Sequence, residues 1–600
     1  MLAFPQRLTA SGRFSGPHST ILAGLVSSKP ARVICAAIVA LIVLLAASTL
    51  YGGRDRSNSA ASAAAHAVAG ALQGSKTALA DTPRSARFHL LIPATSSNPD
   101  LCKILLSTQI LGYPTPIFIN YGHPEDQDAY VQHLAKVEGI LDYLERIENN
   151  PDYAEELVLI VDGYDLWFQL RPDVLLKRYY ALNEAADKRL EEIYGAKVVR
   201  EHDMRQTIVF GPDKICWPVD FSRPACWAVS HTTLKEFALG PDTANGRPEL
   251  SQPRWLNSGT ILGPASDLKA LFKATLDLIH NKHVTDSDQY YLAEVYGKQE
   301  YARLLQNEHE MKRYANVRYG ALEETNSSKP EDANVPVWKE PDKPIIGENE
   351  TVEYHIGIDY ENGMFQTLAF WKQYLTWMRP SDSWIPSQDR QPPSGSQTYY
   401  QLWLPADISS SMQPYAAVSP DLAGSDDGLD VQTTWHDVDL LYNPITKQVP
   451  VMIHFTGEKE FRQIWWQKIW FQKHARLLRN SALIYQDRRK KEPMTEIVGG
   501  YKWYSAEPPE AEDVAMRGLG GGWSDEGGWF SWKSLCSEFE DGFYAVPNED
   551  FYHKPPEPPQ EEDPPGEQLF AEIMREGSRN GDEEPATGAP SDSETGEQPP

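Results

Sequence analysis

Leu157 to Val161 is a run of five aliphatic residues that ends at once in Asp162-Gly163-Tyr164-Asp165. A strand without a polar face has to be covered on both sides, and helices packed above and below a sheet are the usual cover. The flanking sequence supplies them. Arg87 to Ile92 and Ile117 to Asn120 read as two further buried strands, with a helical stretch near Leu101 to Leu111 between them. From Ala129 to Ile147, Val131, Leu134, Val137, Ile140, Leu141 and Leu144 recur at helical spacing. A longer helix is predicted from Pro172, which suits a first turn, to Tyr194, with Gly195 as its stop. The alternation predicts an α/β fold with a mostly parallel sheet flanked by helices.

Outside that body the chain changes character. Val33 to Tyr51 carries no charged residue. As a helix this stretch would span roughly 28 Å, close to the hydrocarbon thickness of a bilayer. The residues before it carry Arg7, Arg13, Lys29 and Arg32 and no acid, so the positive-inside rule keeps them cytosolic and sends the rest into the lumen. A cleaved signal peptide is the competing reading, but the apolar run and the leader before it are both longer than usual for one. Both readings lead to the secretory pathway, and the acceptor sequons at Asn326 and Asn349 suit it. The predicted order is a cytosolic tail (1–32), a transmembrane anchor (33–51), an Ala/Ser-rich stem (52–84), the main folded domain (85–505), a loop-rich extension (506–554) and a disordered acidic tail (555–600). The expected setting is the Golgi or endoplasmic reticulum membrane, as a single-pass type II protein.

Charge excludes one class of partner. The formal net charge is −28, and Pro556 to Pro600 holds 13 acidic and 2 basic side chains. Such a chain repels nucleic acid, and its tail lacks the apolar content to offset the entropy of ordering. Of five cysteines, Cys35 lies in the apolar run, Cys216 and Cys226 are close enough for a loop-closing bridge, and Cys102 and Cys536 either pair or stay free. Glu323 to Glu350 and Pro386 to Leu429 read as surface insertions, and Lys459 to Asn480 as the last folded helix, with an aromatic stripe for core.

In open α/β sheets, ligands bind at the carboxyl ends of strands. Asp162 and Asp165 concentrate negative charge at such an end, where a hard divalent cation neutralises it and can bridge to a diphosphate. Tyr164 between them is placed to stack on a nucleobase. Alone, this pattern is more often a cap of a turn or of the following helix, but three other segments point the same way. Trp255 to Gly263 is an apolar strand broken by Asn257-Ser258-Gly259, where Gly259 lets backbone approach a ligand and Asn257 can pair with sugar hydroxyls. Asp286-Ser287-Asp288-Gln289 opens a helix, with Asp286 as its N-cap or as a group that positions hydroxyls. Val449 to Ile453 is an apolar strand ending in His454, a third candidate metal ligand, ahead of Phe455-Thr456-Gly457.

Taken in order, these segments resemble the glycosyltransferase domain of the procollagen lysyl hydroxylases and, more distantly, the collagen galactosyltransferases. The resemblance lies in Asp162-Gly163-Tyr164-Asp165, in Cys216-Trp217-Pro218 after an apolar strand, and in Leu256-Asn257-Ser258-Gly259. It continues in Asp286 to Gln289, in Asp359 leading to Phe365-Gln366, and in His454 with Gly457. It implies a Rossmann-like GT-A fold without a hydroxylase domain, a UDP-sugar donor, and Mn²⁺ (or Mg²⁺) held by Asp162, Asp165 and His454. By the same resemblance Tyr164 contacts uridine, and Trp217, Asn257, Asp286 and Asp288 line the sugar pocket. Two departures stand out: Ser287 interrupts the acidic segment, and His-Phe-Thr-Gly replaces the family's usual His-x-Asn-Gly.

The expectation is therefore a metal-dependent glycosyltransferase acting on a hydroxyl of a glycan, glycoprotein or glycolipid. The alternative is a catalytically inactive luminal carbohydrate-binding or scaffold protein on the same fold. If the reaction inverts the anomeric centre, Asp286, Asp288 and Asp359 are the candidate bases. Gly518 to Gly528 lacks a phosphate-loop ending and reads as a mobile loop, with a lid as the sharper alternative. His436, Asp437 and Asp439 read as a surface turn.

Overall fold

The computed structural model describes residues 83–544 apart from 124–128, 151–152, 244–246, 283–286, 315–340, 349, 383–384, 387–398, 401–402, 420–428, 458, 490 and 507–519. Val33 to Tyr51, Asp286, both sequon asparagines and the acidic tail lie outside the described residues. Among the described residues no helix is long and apolar enough to cross a membrane.

A nine-stranded, largely parallel sheet forms the centre. Strands β1 (Arg84–Pro93), β2 (Ile117–Ile119) and β3 (Leu157–Val161) are parallel, with Leu91 opposite Ile117 and Leu90 opposite Leu159. β6 (Trp255–Pro264) runs antiparallel beside β3, and β5 (Ile208–Asp213) antiparallel beside β6, so β5 again points the way β3 does. β7 (Ile356–Ile358) closes that side, parallel to β5. On the other side β15 (Gly521–Ser524) joins parallel to β2 and turns back as β16 (Trp529–Ser531), while β14 (Tyr501–Ser505) pairs with β1.

Alternation along each strand divides the side chains between two cores. Phe88, Leu90, Leu157 and Leu159 join the core that holds helices α1 (Pro99–Leu111) and α3 (Pro172–Tyr194). Leu91, Val158 and Ile160 join the core that holds α2 (Ala129–Ile147), α4 (Ala265–Lys282) and α5 (Asp288–Leu304). Both faces being covered, each aliphatic side chain contributes about 1.5–3 kcal/mol of burial, which is why the strands read as unbroken apolar runs. Local signals set the helix ends: Asn98 accepts from the amides of Asp100 and Leu101 to start α1, and Gly195 stops α3.

A second, three-stranded sheet stands apart. β13 (Met452–His454) is its centre, antiparallel to β4 (Leu166–Phe168) and parallel to β8 (Phe365–Thr367). Two short antiparallel pairs complete the strands: β9 (Thr376–Met378) with β12 (Leu440–Tyr442), and β10 (Ile385–Pro386) with β11 (Tyr399–Tyr400).

Three expectations change. Lys459 to Asn480 is not one helix: Phe461–Ile464 and two 3-10 turns precede the continuous helix α6 (Ala475–Arg489). Trp465, Trp466, Ile469, Trp470 and Phe471 are all buried, and one face of a regular helix is too narrow to bury five such neighbours. The reading as core holds for these five, whereas Phe461 is half-buried and Ile464 is exposed. Next, the described part of the glycine-rich stretch forms β15 and the turn into β16 where a mobile loop was expected. A Cβ on Gly521 would lie 2.1 Å from the Phe530 carbonyl oxygen and one on Gly522 2.5 Å from the Phe118 ring, so glycine here permits close strand contact. The extension is bonded to the body through a Cys102–Cys536 disulfide, and Cys216–Cys226 is also formed. Finally, part of the 386–429 insertion is docked. Ile408, Tyr415 and Val418 are buried, and the Arg171 guanidinium donates to the carbonyls of Met412, Gln413 and Pro414.

Candidate metal centre

The two sheets send their ends to one point. β3 stops at Asp162, whose amide donates to the Gly259 carbonyl at 2.9 Å, so the antiparallel register of β6 lays Gly259 beside it. Asp165 directly precedes β4. His454 pairs opposite Leu166, and the Phe455 amide donates to the Asp165 carbonyl at 2.7 Å, which brings His454 beside Asp165. One ligand atom from each of Asp162, Asp165 and His454 lies within 4.8 Å of the others. His454 Nε2 is 3.3 Å from Asp165 Oδ1 and 3.8 Å from Asp162 Oδ2.

Two carboxylates and an imidazole suit a divalent cation such as Mn²⁺, and two observations support the fit. Asp165 Oδ1 is buried and within ion-pair reach of His454, yet accepts no well-directed hydrogen bond. A coordinated cation would relieve the penalty of such an atom. In addition, a Cβ on Gly259 would lie 2.2 Å from His454 Cε1 and 2.6 Å from Asp162 Oδ2. No other residue type leaves this floor clear. Burial opposes charge on both Asp165 and His454, but each holds the other toward its charged form, with Lys459 and Arg462 also favouring the carboxylate.

Behind Asp162 lies a group that the sequence reading passed over. Lys136 of α2 places its Nζ 2.7 Å from Asp162 Oδ1 and 2.8 Å from Asp288 Oδ2. His133 Nδ1 is 3.5 Å from Asp288 Oδ1. Burial opposes ionisation at each site, yet the mutual attraction holds the Asp288 carboxyl well below the usual range and the Lys136 ammonium above its own. The available signal was spacing: Lys136 and Ile140 share an inward helical face, where a lysine is out of place unless paired.

Asp213 was also missed, although it repeats the pattern of an apolar strand ending in an acid. Its Oδ2 accepts from Asn257 Nδ2 at 3.1 Å and Gln289 Nε2 at 3.3 Å, and burial pushes its carboxyl up to about 6. Asn257 in turn accepts from the Gly259 amide at 3.0 Å, so its side chain is held from both ends.

The remaining candidates fall in different places. Tyr164 is half-buried, and its hydroxyl accepts from the amides of Thr95 and Ser96 and donates to the Ser96 carbonyl. Trp217 is half-buried within the loop closed by Cys216–Cys226. Gly457 has φ 76°, next to Thr456, whose hydroxyl accepts from the amides of Leu368 and Ala369. Ser287 occupies the N-cap position of α5. Asp359 is engaged by backbone. Gly363, Met364 and Phe365 all donate their amides to it, and burial pushes its carboxyl up to about 7, so it anchors the turn into β8. At the 436–439 turn Asp437 accepts from Thr434 and Asp439 pairs with Arg379, as a surface turn should. No protein-family model matches this chain, and no curated protein matches it either.

Proposed function

We propose that the protein is a metal-dependent glycosyltransferase of GT-A-like fold that moves a sugar from a nucleotide-sugar to an acceptor hydroxyl. By the resemblance in sequence, the donor is a UDP-sugar. The observation that carries the reading is the convergence of Asp162, Asp165 and His454 over Gly259 at the carboxyl end of β3. These three residues would hold Mn²⁺ or Mg²⁺, which offsets the charge that gathers on a departing nucleoside diphosphate. The other groups bind and orient. Asn257, fixed by Asp213, Gln289 and the Gly259 amide, is pre-set to meet sugar hydroxyls. Tyr164 ties the Thr95–Ser96 loop to the same edge of the sheet, where a nucleobase would lie. Asp213, which accepts from both Asn257 and Gln289, keeps that asparagine in place.

A luminal setting, with Val33 to Tyr51 as a membrane anchor, belongs to the same proposal. It is supported by the two disulfides, which persist in oxidising compartments. The test is a panel of nucleotide-sugars with and without Mn²⁺, reading sugar transfer and release of free nucleotide. Turnover of one donor that requires the metal and falls about a thousandfold in Asp165→Ala supports the reading. Absence of turnover and of metal-dependent nucleotide binding across the panel refutes it.

A further inference from the structure

We propose that Lys136 is a built-in counter-ion that weakens the grip of Asp162, Asp165 and His454 on a cation, so that cation retention depends on the diphosphate of the donor. This rests on the metal-binding reading above. The Asp162 carboxylate is divided between two claims: Oδ1 is 2.7 Å from Lys136 Nζ, and Oδ2 faces His454 Nε2 at 3.8 Å. The ligand atom offered to a metal therefore belongs to a carboxylate already paired with an ammonium.

Lys136 has no room to withdraw. It is buried, Asp288 at the start of α5 holds it at 2.8 Å, and its Nζ also reaches the Ser258 carbonyl at 3.4 Å, on the strand that carries Gly259. Asp288 is itself backed by His133 on its other oxygen. A fixed positive charge one carboxylate away from a dication acts at short range and with little water between them. An arriving diphosphate reverses the balance, because its negative charge is attracted by ammonium and metal together. Cation and nucleoside diphosphate should then each bind better in the presence of the other. A lysine that merely shaped Asp162 would have the opposite signature, since its removal would loosen a ligand and weaken binding.

The test is Mn²⁺ binding by the full chain, read from the electron paramagnetic resonance of free Mn²⁺, with and without UDP. For the wild type, saturating UDP should tighten Mn²⁺ binding about tenfold or more. Lys136→Met should bind Mn²⁺ alone at least about tenfold more tightly than the wild type, and gain little from UDP. Lys136→Arg, which keeps the charge, should stay close to the wild type. If Lys136→Met does not fold, the double variant Lys136→Met/Asp288→Asn removes both charges together and should bind Mn²⁺ more tightly than Asp288→Asn alone. Lys136→Met binding as weakly as the wild type or more weakly, or a double variant no tighter than Asp288→Asn, overturns the proposal. A wild type that binds no Mn²⁺ under either condition removes the metal-dependent reading itself, and this inference with it.

Discussion

The two sheets that meet at the candidate centre are assembled from the chain in opposite ways. In the large sheet β1, β2 and β3 follow one another with a helix between each pair, so their packing is local in sequence. In the small sheet β4, β8 and β13 are three residues each and come from remote segments. The large sheet supplies Asp162, Asp213, Asn257 and Gly259; the small one supplies His454 and, at the entry to β4, Asp165. One sheet prepares a surface, and the other completes the ligand set. A cation held there would tie the two together.

The comparison fails most visibly if the small sheet proves dispensable. Asp165→Ala and His454→Ala should each reduce turnover about a thousandfold, or about 4 kcal/mol, measured as kcat/KM for the donor. In the same variants Mn²⁺ at a hundredfold over its Kd should no longer raise stability by about 2.7 kcal/mol in thermal unfolding. Retained metal-dependent stabilisation in His454→Ala would detach β13 from the centre. On the large-sheet side, Gly259→Ala places a methyl between His454 and Asp162. The expected effect is about a hundredfold loss of turnover with a parallel loss of Mn²⁺ affinity, since small misplacements carry that size of penalty.

Smaller effects separate packing from chemistry. Asp359→Asn replaces one of the two oxygens that accept from the amides of the turn into β8, and should lower unfolding stability by about 2 kcal/mol. The same residue has a pH signature. Its folded value of about 7 lies above its unfolded one, so the native chain keeps the proton longer and stability from this residue falls as pH rises towards 7. Between roughly pH 5 and pH 7 the wild type should lose up to about 2 kcal/mol that Asp359→Asn does not lose. Asp288 works in the other direction: held low by Lys136 and His133 against the pull of burial, it stabilises above the ordinary carboxylate range and fails as pH falls below it.

Sequence legibility follows the same division. Ala129–Ile147, Leu157–Val161 and Pro172–Tyr194 have the bounds that periodicity and end signals predict, because those signals lie within each segment. Asp162, Asp165 and His454 were legible as strand-end residues, and the structure brings them together. Lys136 was harder to read, because its partners Asp162 and Asp288 lie on other elements and only its place on a buried helical face hinted at them. Asp359 misled for the converse reason: its partners are backbone amides a few residues on, which no side-chain pattern announces. The β15–β16 hairpin was hidden by glycines that usually mark loops but here let Phe118 and Phe530 approach.

That hairpin has a consequence for biosynthesis. β15 pairs with β2, and Cys536 bonds to Cys102 across 434 residues, so the flank of β2 stays uncovered until nearly all of the folded region has left the ribosome. A nascent chain would carry an open edge and an unpaired thiol for most of its translation, a state that invites aggregation and favours retention by chaperones. Premature stop codons anywhere before Cys536 should therefore yield polypeptides cleared by quality control rather than shorter, partly active forms.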